Sequence, residues 1–430
     1  MARIGAKSTT GWKATISVAM SNYIEAGSII AIATSLAFWQ QEFGFSDSFT
    51  GLLAALSANA FGAAIGAIIG GPLCDRLGRK FIYTYDLMIY MAGVLVAAFA
   101  VNQWMLLAAF IVTGIAVGAG VPASWTYIAE EAPDDKRAAH VGTAQLAWSV
   151  GPMIGFLLAA LLVPLGLLGS RIIFLHLFVV AFLTWWMRQG LAESKRWKQS
   201  QEDTTKVSLG GKGMKALFSR KQNLTALLFL VGVYGFWNTV AGQAGIFMPR
   251  VYTAAGLTDS QQQFFLQALL WAFTVLGTYF GFMRFADRVS RRVLYFIGAV
   301  MGIAGWVVLV YVPASTFTML AFAVLWGFAS GIGAQAFYGL WTAELFSTRY
   351  RASAQGVLFF AARVMVGVLS YGFPVWLNTM GLHGLGALLI GILSVALLVG
   401  TIWAPDTQGK TLEQIEEERY RSSSREKLTV

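Results

Sequence analysis

The chain has 430 residues, of which 57% are hydrophobic and 12% are charged, and its mean hydropathy is +0.63. Soluble domains carry roughly 25% charged residues, so the composition excludes a soluble globular core and predicts a polytopic membrane protein. A single cysteine excludes an intramolecular disulfide and a cysteine-clustered metal site. The net charge of +10 would suggest nucleic-acid binding in a soluble protein, but here the question is on which side of the membrane the cations lie.

Apolar segments long enough to cross a hydrocarbon core of ~30 Å follow one another along the chain. We predict twelve membrane-spanning helices, at residues 15–38, 51–73, 81–101, 104–126, 138–163, 171–189, 224–248, 261–283, 293–312, 317–342, 353–377 and 385–403. If the N-terminus is cytoplasmic, the only Lys and Arg residues outside the cytoplasmic loops and tails are Arg171, Arg250 and Arg363. This bias predicts that both termini face the cytoplasm.

A polar stretch at residues 191–222 divides the predicted helices into two groups of six, and the groups repeat each other. Three signatures recur after about half the chain length: Gly71–Lys80 as Asp287–Arg292, Glu130–Arg137 as Glu344–Arg351, and Ala192–Ser194 as Pro405–Thr407. The repeat predicts an all-α membrane protein in which twelve transmembrane helices form two pseudo-symmetric six-helix bundles, with a solute site near the midplane. We assign an N-terminal bundle, a cytoplasmic linker, a C-terminal bundle and a cytoplasmic tail to residues 1–190, 191–222, 223–404 and 405–430.

The Gly71–Lys80 turn resembles the loop 2–3 signature of the major facilitator superfamily at every defining position, and the resemblance covers essentially the whole chain. Tyr127–Pro133, Ala192–Trp197, Glu344–Arg351 and Pro405–Glu413 are similar to motifs of its sugar porter and related metabolite:proton symporter branches. The resemblance implies the major facilitator fold and a secondary transporter that works by alternating access, with the proton as coupling ion and no other cofactor.

Departures from the sugar porter pattern fall in the predicted pocket. Phe236, Trp237 and Gly242 stand where hexose porters carry a Gln-Gln pair and a following Asn, and their helix-four Arg falls at about Phe110. The resemblance therefore implies the transport mechanism and weakens the case for an ordinary hexose.

The charged turns are candidate gates. Asp75 is followed by Arg76, Arg79 and Lys80 at spacings that let these cations reach a carboxylate or the carboxyl end of a neighbouring helix. Such a cluster can join two helices on the cytoplasmic side, but the same charges could serve only to fix the topology. The resemblance implies a latch that holds in the outward-facing state, with the further members Glu130, Arg137, Asp287, Arg288, Arg291, Glu344 and Arg351.

Glu25 is the candidate proton carrier. It stands about ten residues into the first predicted helix, ~15 Å deep, where a carboxylate is costly unless it is paired, hydrated or protonated. It also occupies the position of the helix-one acid of the sugar porters, which implies proton coupling. The alternative is a protonated glutamic acid with a purely structural hydrogen bond.

Arg363 is its counterpart, near the middle of the eleventh predicted helix. Because its guanidinium keeps its charge, it needs an anionic partner, which could be the solute or Glu25. A related Arg in organic-anion and metabolite symporters of the superfamily implies an acidic solute. The alternative is a set of hydrogen bonds to helix carbonyls.

Uncharged polar and aromatic residues near these two charges suit a hydroxylated solute. Each alone is more often an interhelical hydrogen bond than a ligand contact. The candidates are Gln145, at the position of a sugar-binding Gln in the sugar porters, and Asn22, Trp148, Asn238, Gln243, Gln335 and Tyr338.

The sequence favours proton-coupled import of a small polar metabolite: a sugar, a polyol, or a sugar acid or other organic anion. The alternatives are a drug or metabolite exporter and a non-transporting membrane receptor. An enzyme is not expected, because the sequence offers no nucleophile, metal cluster or phosphate loop. The expected partners are the solute and the lipid bilayer rather than nucleic acid, and we expect a monomer in a bacterial inner membrane.

Overall fold

The computed structural model describes residues 12–202 and 217–426. The two ends of the chain and residues 203–216, in the middle of the predicted linker, lie outside the described residues. Within the described ranges, eleven helical runs are long and apolar enough to cross a membrane. All but the last are single transmembrane helices, α1 to α10 in chain order: Trp12–Phe43, Asp47–Leu77, Arg79–Ala98, Gln103–Glu131, Asp134–Leu165, Leu167–Arg188, Lys221–Ile246, Ser260–Phe285, Arg291–Tyr311 and Thr316–Leu345.

The last run, Thr348–Ile402, contains two helices. As one straight helix its 55 residues would extend ~80 Å, far more than a hydrocarbon core of ~30 Å. Gly381 breaks the run with φ 68° and ψ 177°, a positive-φ conformation that glycine tolerates because it has no Cβ. We label residues 348–380 α11 and residues 382–402 α12, so the twelve predicted transmembrane helices are confirmed.

The helices extend beyond the predicted apolar segments. The first, for example, covers Trp12–Phe43 rather than 15–38. Hydropathy detects only the part of a helix that suits hydrocarbon, whereas the backbone continues its hydrogen bonding into polar residues at either end. Among the described residues, three further short helices lie between or after the transmembrane helices: Lys195–Glu202, Met248–Ala254 and Leu412–Glu426.

α2 is discontinuous. Its first part ends at Leu56 and its second part begins at Phe61. The turn between them leaves main-chain carbonyls without the hydrogen-bond partners that a continuous helix would give them. The carbonyl of Asn59, in this turn, is used by the charge pair described below.

The two six-helix bundles meet along two helix pairs, α2 with α11 and α5 with α8. At the first pair the backbones touch. A Cβ added at Gly71 would lie 2.6 Å from the carbonyl oxygen of Ala352, and one added at Gly356 would lie 2.4 Å from that of Ala67. Glycine at these two positions therefore lets the halves approach this closely.

The α2–α3 turn, with Asp75, and the α8–α9 turn, with Asp287, lie on one side of the molecule, which we call the basic face. The helices Lys195–Glu202 and Leu412–Glu426 lie on the same face, and we call them the linker helix and the tail helix. The other side is called the opposite face.

Candidate substrate and gating sites

Glu25 and Arg363 form an ion pair across the two halves. Glu25 lies on α1 of the N-terminal half and Arg363 on α11 of the C-terminal half, and both side chains are almost completely buried. An Nη atom of Arg363 donates to Oε1 of Glu25. Of the two partners that the sequence allowed for Arg363, the structure supplies Glu25.

Neighbouring groups hold this pair in place. The indole Nε1 of Trp148, on α5, donates to Oε2 of Glu25 at 3.0 Å. The second Nη of Arg363 donates to the carbonyl of Asn59 at 2.9 Å, and its guanidinium lies 4.6 Å from the ring centroid of Phe359. The pair is neutral overall, and hydrogen bonds satisfy both oxygens of the carboxylate.

A small cavity lies between the halves beside the pair. Its volume of ≈ 10 Å³ is about the space that a single water molecule needs, so the halves would have to separate to admit a solute. Both halves contribute to its lining, which consists of Ala26, Ile29, Ile30, Asn59, Trp148, Pro152, Asn238, Ala241, Gly242, Gly245, Trp271 and Arg363.

Four polar atoms of this lining have no hydrogen-bond partner among the described residues. They are Oδ1 of Asn59, Nδ2 of Asn238, Nε1 of Trp271 and Nε of Arg363. Buried donors and acceptors of this kind are costly unless something satisfies them, so they are available to the hydroxyl groups of a solute. Asn59 and Trp271 are not among the sequence candidates, because only the packing of the two halves brings them to the cavity.

The residues predicted to bind substrate divide into two groups. Arg363, Trp148 and Asn238 line the cavity. The others lie outside its lining. Asn22 donates to Ser124 Oγ at 2.8 Å.

Gln145, the preferred candidate from the sequence, is fully buried, and its amide approaches Ser149 Oγ at 3.5 Å and the Ser330 carbonyl at 3.4 Å. Gln243 donates to the carbonyl of Val366 at 3.2 Å.

The last two candidates are on α10. The hydroxyl of Tyr338 donates to the carbonyl of Gln355 at 3.3 Å, and its ring stacks on Tyr234 with the centroids 4.0 Å apart. Gln335 is also buried, and its Oε1 has no partner among the described residues. A solute role for the candidates outside the cavity lining stays a prediction and would require the halves to rearrange.

On the basic face, Asp75 and Glu130 of the N-terminal half contact the start of α11. Glu130 binds Arg79 of its own half at 2.7 Å and Arg351 of the other half at 3.4 Å. Asp75 accepts a hydrogen bond from the backbone N–H of Ser353 at 2.7 Å, at the amino end of α11 where the helix dipole favours an anion. Two contacts of this cluster therefore join the halves.

The C-terminal half repeats this arrangement. Glu344 binds Arg291 of its own half at 2.7 Å and Arg137 of the other half at 3.1 Å. Asp287 accepts from the backbone N–H of Ala138, at the amino end of α5, at 3.2 Å. Burial raises the pKa of Asp287 above its ordinary value. We call the two clusters together the double latch.

The third repeated signature completes the double latch. The hydroxyl of Ser194 donates to Glu130 at 2.7 Å, and Arg291 donates to the hydroxyl of Thr407 at 2.8 Å. Glu193 accepts from the two backbone N–H groups at the start of α3, both at 3.0 Å. Each carboxylate of the latch thus has several donors, which a buried charge requires.

Three predicted gating residues lie outside these networks. Arg76, Lys80 and Arg288 are exposed, and none of their side chains makes an ion pair within the described residues. A gating role for these three residues stays a prediction, as does the alternative that they only fix the topology.

A second contact between the halves, which the sequence did not indicate, lies on the opposite face. Arg250, after α7, binds Asp47 at the start of α2 at 2.9 Å and the side-chain oxygen of Gln40 at 2.9 Å. Gln40 also donates to Asp47 at 3.1 Å, so the three side chains form a closed ring of hydrogen bonds. From the sequence, Arg250 stands out only as an exception to the charge bias, since pairing with residues over 200 positions away has no local signature.

Comparison with known proteins gives one family. Residues 14–369 match the Major Facilitator Superfamily. The chain is 41% identical to the minor myo-inositol transporter IolF of Bacillus subtilis, covering 95% of this chain and 94% of that protein. It is 25% identical to the galactose-proton symporter of Escherichia coli K12, covering 84% of both chains. The xylose transporter XylE of E. coli superposes with a TM-score of 0.78 at 18% identity, covering 95% of this chain and 98% of that structure.

These matches cover both halves, and the fold and the repeated charge clusters agree with them. The chain therefore belongs to the Major Facilitator Superfamily, whose members are membrane transporters rather than enzymes.

Proposed function

We propose that this protein imports a neutral polyol of the inositol class together with protons, by alternating access. The observation that carries the proposal is the Glu25–Arg363 ion pair, which bridges the two halves beside the central cavity. Symporters of this family need no cofactor other than the coupling ion.

The pair couples a proton to the movement of the halves. When the halves separate, the contact breaks, and each charge is left without its partner in a region of low dielectric. A guanidinium cannot release its proton, whereas a carboxylate can accept one. Protonation of Glu25 therefore favours the separated arrangement, and its deprotonation favours the arrangement in which the pair is made.

The environment of Arg363 favours a neutral solute. The two Nη atoms of its guanidinium already bind Glu25 and the carbonyl of Asn59, so Glu25 neutralises its charge and an organic anion would add a second negative charge beside that carboxylate. The unpartnered atoms of Asn59, Asn238 and Trp271 suit hydroxyl groups. The names of the relatives, a myo-inositol transporter at 41% identity and a galactose-proton symporter at 25%, support a hydroxylated ring and proton coupling.

The remaining expectations belong to the same proposal. The charge bias supports a cytoplasmic basic face and cytoplasmic termini, and we expect the protein in a bacterial inner membrane. Its partners would be the solute and the lipid bilayer, without nucleic acid, and the working unit would be a monomer. The domain boundaries at residues 190, 222 and 404 remain those predicted from the sequence.

The experiment that tests the proposal measures uptake of labelled myo-inositol by proteoliposomes under an imposed pH gradient. The wild-type protein should accumulate the label against its gradient. Glu25→Gln should retain exchange of label between the two sides but lose uphill accumulation, because an amide cannot take up the proton. Glu42→Gln, an exposed glutamate of the same helix, is the matched control and should behave as the wild type.

Uphill accumulation that persists in Glu25→Gln would contradict the proton role. Competition by gluconate but not by neutral polyols would contradict the neutral solute and favour an anion. Accumulation that requires the reversed gradient would identify an exporter, and binding of the solute without any flux would identify a receptor.

A further inference from the structure

A groove on the basic face lies away from the solute pathway. It is formed by the start of α7, the ends of α10 and α12, and the tail helix, and it has a volume of ≈ 720 Å³. It is lined by Lys221, Gln222, Thr225, Ala226, Leu228, Phe229, Leu345, Val399, Trp403, Pro405 and Arg419. Because α7 and α12 are long and apolar enough to span a membrane and the groove lies at their ends on the basic face, we expect it to lie where the bilayer meets water.

The polar end of the groove is cationic. Lys221 and Arg419 both line it, and neither makes an ion pair within the part of the chain that the structure describes. Arg419 donates to the carbonyl of Gln222 at 3.1 Å, which fixes its guanidinium, while its Nε has no partner among the described residues. No described residue of the lining carries a carboxylate, so the lining itself contributes two positive charges and no negative one.

The other end of the groove is apolar. Leu228 and Trp403 are 66% and 64% exposed, and Phe229 and Val399 continue this surface. An exposed Trp at the end of a transmembrane helix is typical of the interface between headgroups and acyl chains. Two cations beside an apolar wall of this size match an amphiphile with an anionic head.

The geometry points to a binding site for one anionic phospholipid, with its phosphate between Lys221 and Arg419 and an acyl chain along Leu228, Phe229 and Trp403. Such a lipid bridges the tail helix to α7 and α12. The tail helix is already joined to this region by Tyr420, whose hydroxyl donates to Asn223 at 2.7 Å. The lipid therefore stabilises the docked tail helix. The inference does not depend on the identity of the transported solute.

The test is native mass spectrometry of the full-length protein, titrated separately with phosphatidylglycerol and with phosphatidylcholine of identical acyl chains. Phosphatidylglycerol should be retained in preference to phosphatidylcholine. Lys221→Gln and Arg419→Gln should each weaken its binding about fivefold, from the ~1 kcal/mol that a Lys or Arg contributes near an anionic headgroup. Lys198→Gln removes an equally exposed lysine from the linker helix and should leave binding unchanged.

A further variant tests the contribution of the apolar wall at unchanged charge. Thr225→Trp places a bulky side chain in the groove without altering its charge, and it should lower retention of both lipids. Glycerol phosphate, which has the head but no chain, should not compete.

Several outcomes would overturn the inference. These are equal retention of the two lipids, and weakening of phosphatidylglycerol binding by Lys198→Gln as large as that by Lys221→Gln or Arg419→Gln. Competition by glycerol phosphate, or a dimer that forms in place of the lipid complex, would also overturn it. Because transport of myo-inositol in proteoliposomes is measured separately, a failure here leaves the proposed function untouched.

Discussion

Arg363 on α11 donates to the carboxylate of Glu25 on α1, although 338 residues separate them in the chain. At this contact, one charged side chain of each half meets the other beside the central cavity. It converts two isolated intramembrane charges, each costly alone, into one neutral unit that exists only while the halves are together.

We expect the two charges to be strongly coupled in stability. Arg363→Gln leaves a buried carboxylate without its cation and should lower the free energy of unfolding by ~3–5 kcal/mol. The double variant Glu25→Gln with Arg363→Gln removes both charges and should lower it much less. The thermal unfolding midpoint of the purified protein, in a double-mutant cycle, measures the difference. Arg171→Gln, which removes a cation whose guanidinium donates to a carbonyl, is the control. If the effects of the two single changes on the unfolding midpoint are additive, the two charges do not stabilise each other.

The double latch should hold the basic face closed through its contacts between the halves. Arg351→Gln and Arg137→Gln each remove an ion pair between the halves, worth ~1.5 kcal/mol, and should raise the open fraction about tenfold. Arg137→Gln also removes a weaker hydrogen bond to the carbonyl of Lys410 at 3.3 Å. Spin labels on the exposed positions 80 and 288, introduced as K80C and R288C in a Cys74→Ser background, report the separation.

Arg349→Gln removes a neighbouring exposed charge that makes no ion pair in the described structure, and it should not change the distances. Because the two clusters are repeats, the two latch variants should shift the population to similar extents. A response confined to one of them would contradict the symmetrical latch.

The close approach at Gly71 should be necessary for the closed arrangement. Gly71→Ala places a Cβ 2.6 Å from the carbonyl oxygen of Ala352, a contact that only a shift of backbone can relieve. The variant should favour the open basic face in the same spin-label measurement and should slow transport. Gly391→Ala, in α12, meets nothing within 4 Å and should be neutral or slightly stabilising. An unchanged distance distribution in Gly71→Ala would show that α2 and α11 do not need to touch.

The ring of Gln40, Asp47 and Arg250 should act as the closing contact of the opposite face. Arg250 and Asp47 are partly exposed, so the pair contributes only ~0.2–1 kcal/mol, and Arg250→Gln should raise opening of this face about two- to fivefold. Labels introduced as V101C and F317C, at positions 72% and 79% exposed, report this opening.

The charge-reversed combination Asp47→Arg with Arg250→Asp should restore closure if the attraction matters. If Arg250→Gln opens the face and the reversed pair does not close it, the hydrogen bonds of Gln40 rather than the ion pair hold it.

The sequence by itself determined the properties that depend on short stretches of chain. Hydropathy located twelve helices, the repeated charged signatures divided them into two halves, and the depth of Glu25 and Arg363 marked them as costly charges that need partners. The ends of the helices were placed less well, because polar residues such as Glu130 continue a helix that hydropathy no longer detects.

Only the tertiary structure decided which side chains meet. Arg363 could have bound the solute or, as found, Glu25, and Gln145 could have lined the cavity or, as found, approached the Ser330 carbonyl of the other half. The break in α2 that turns the Asn59 carbonyl toward Arg363 has no signature in composition, and neither has the pairing of Asp47 with Arg250. The physical reason is that hydrophobic periodicity orients one helix toward lipid or protein, whereas a contact between helices of different halves depends on how all twelve pack together.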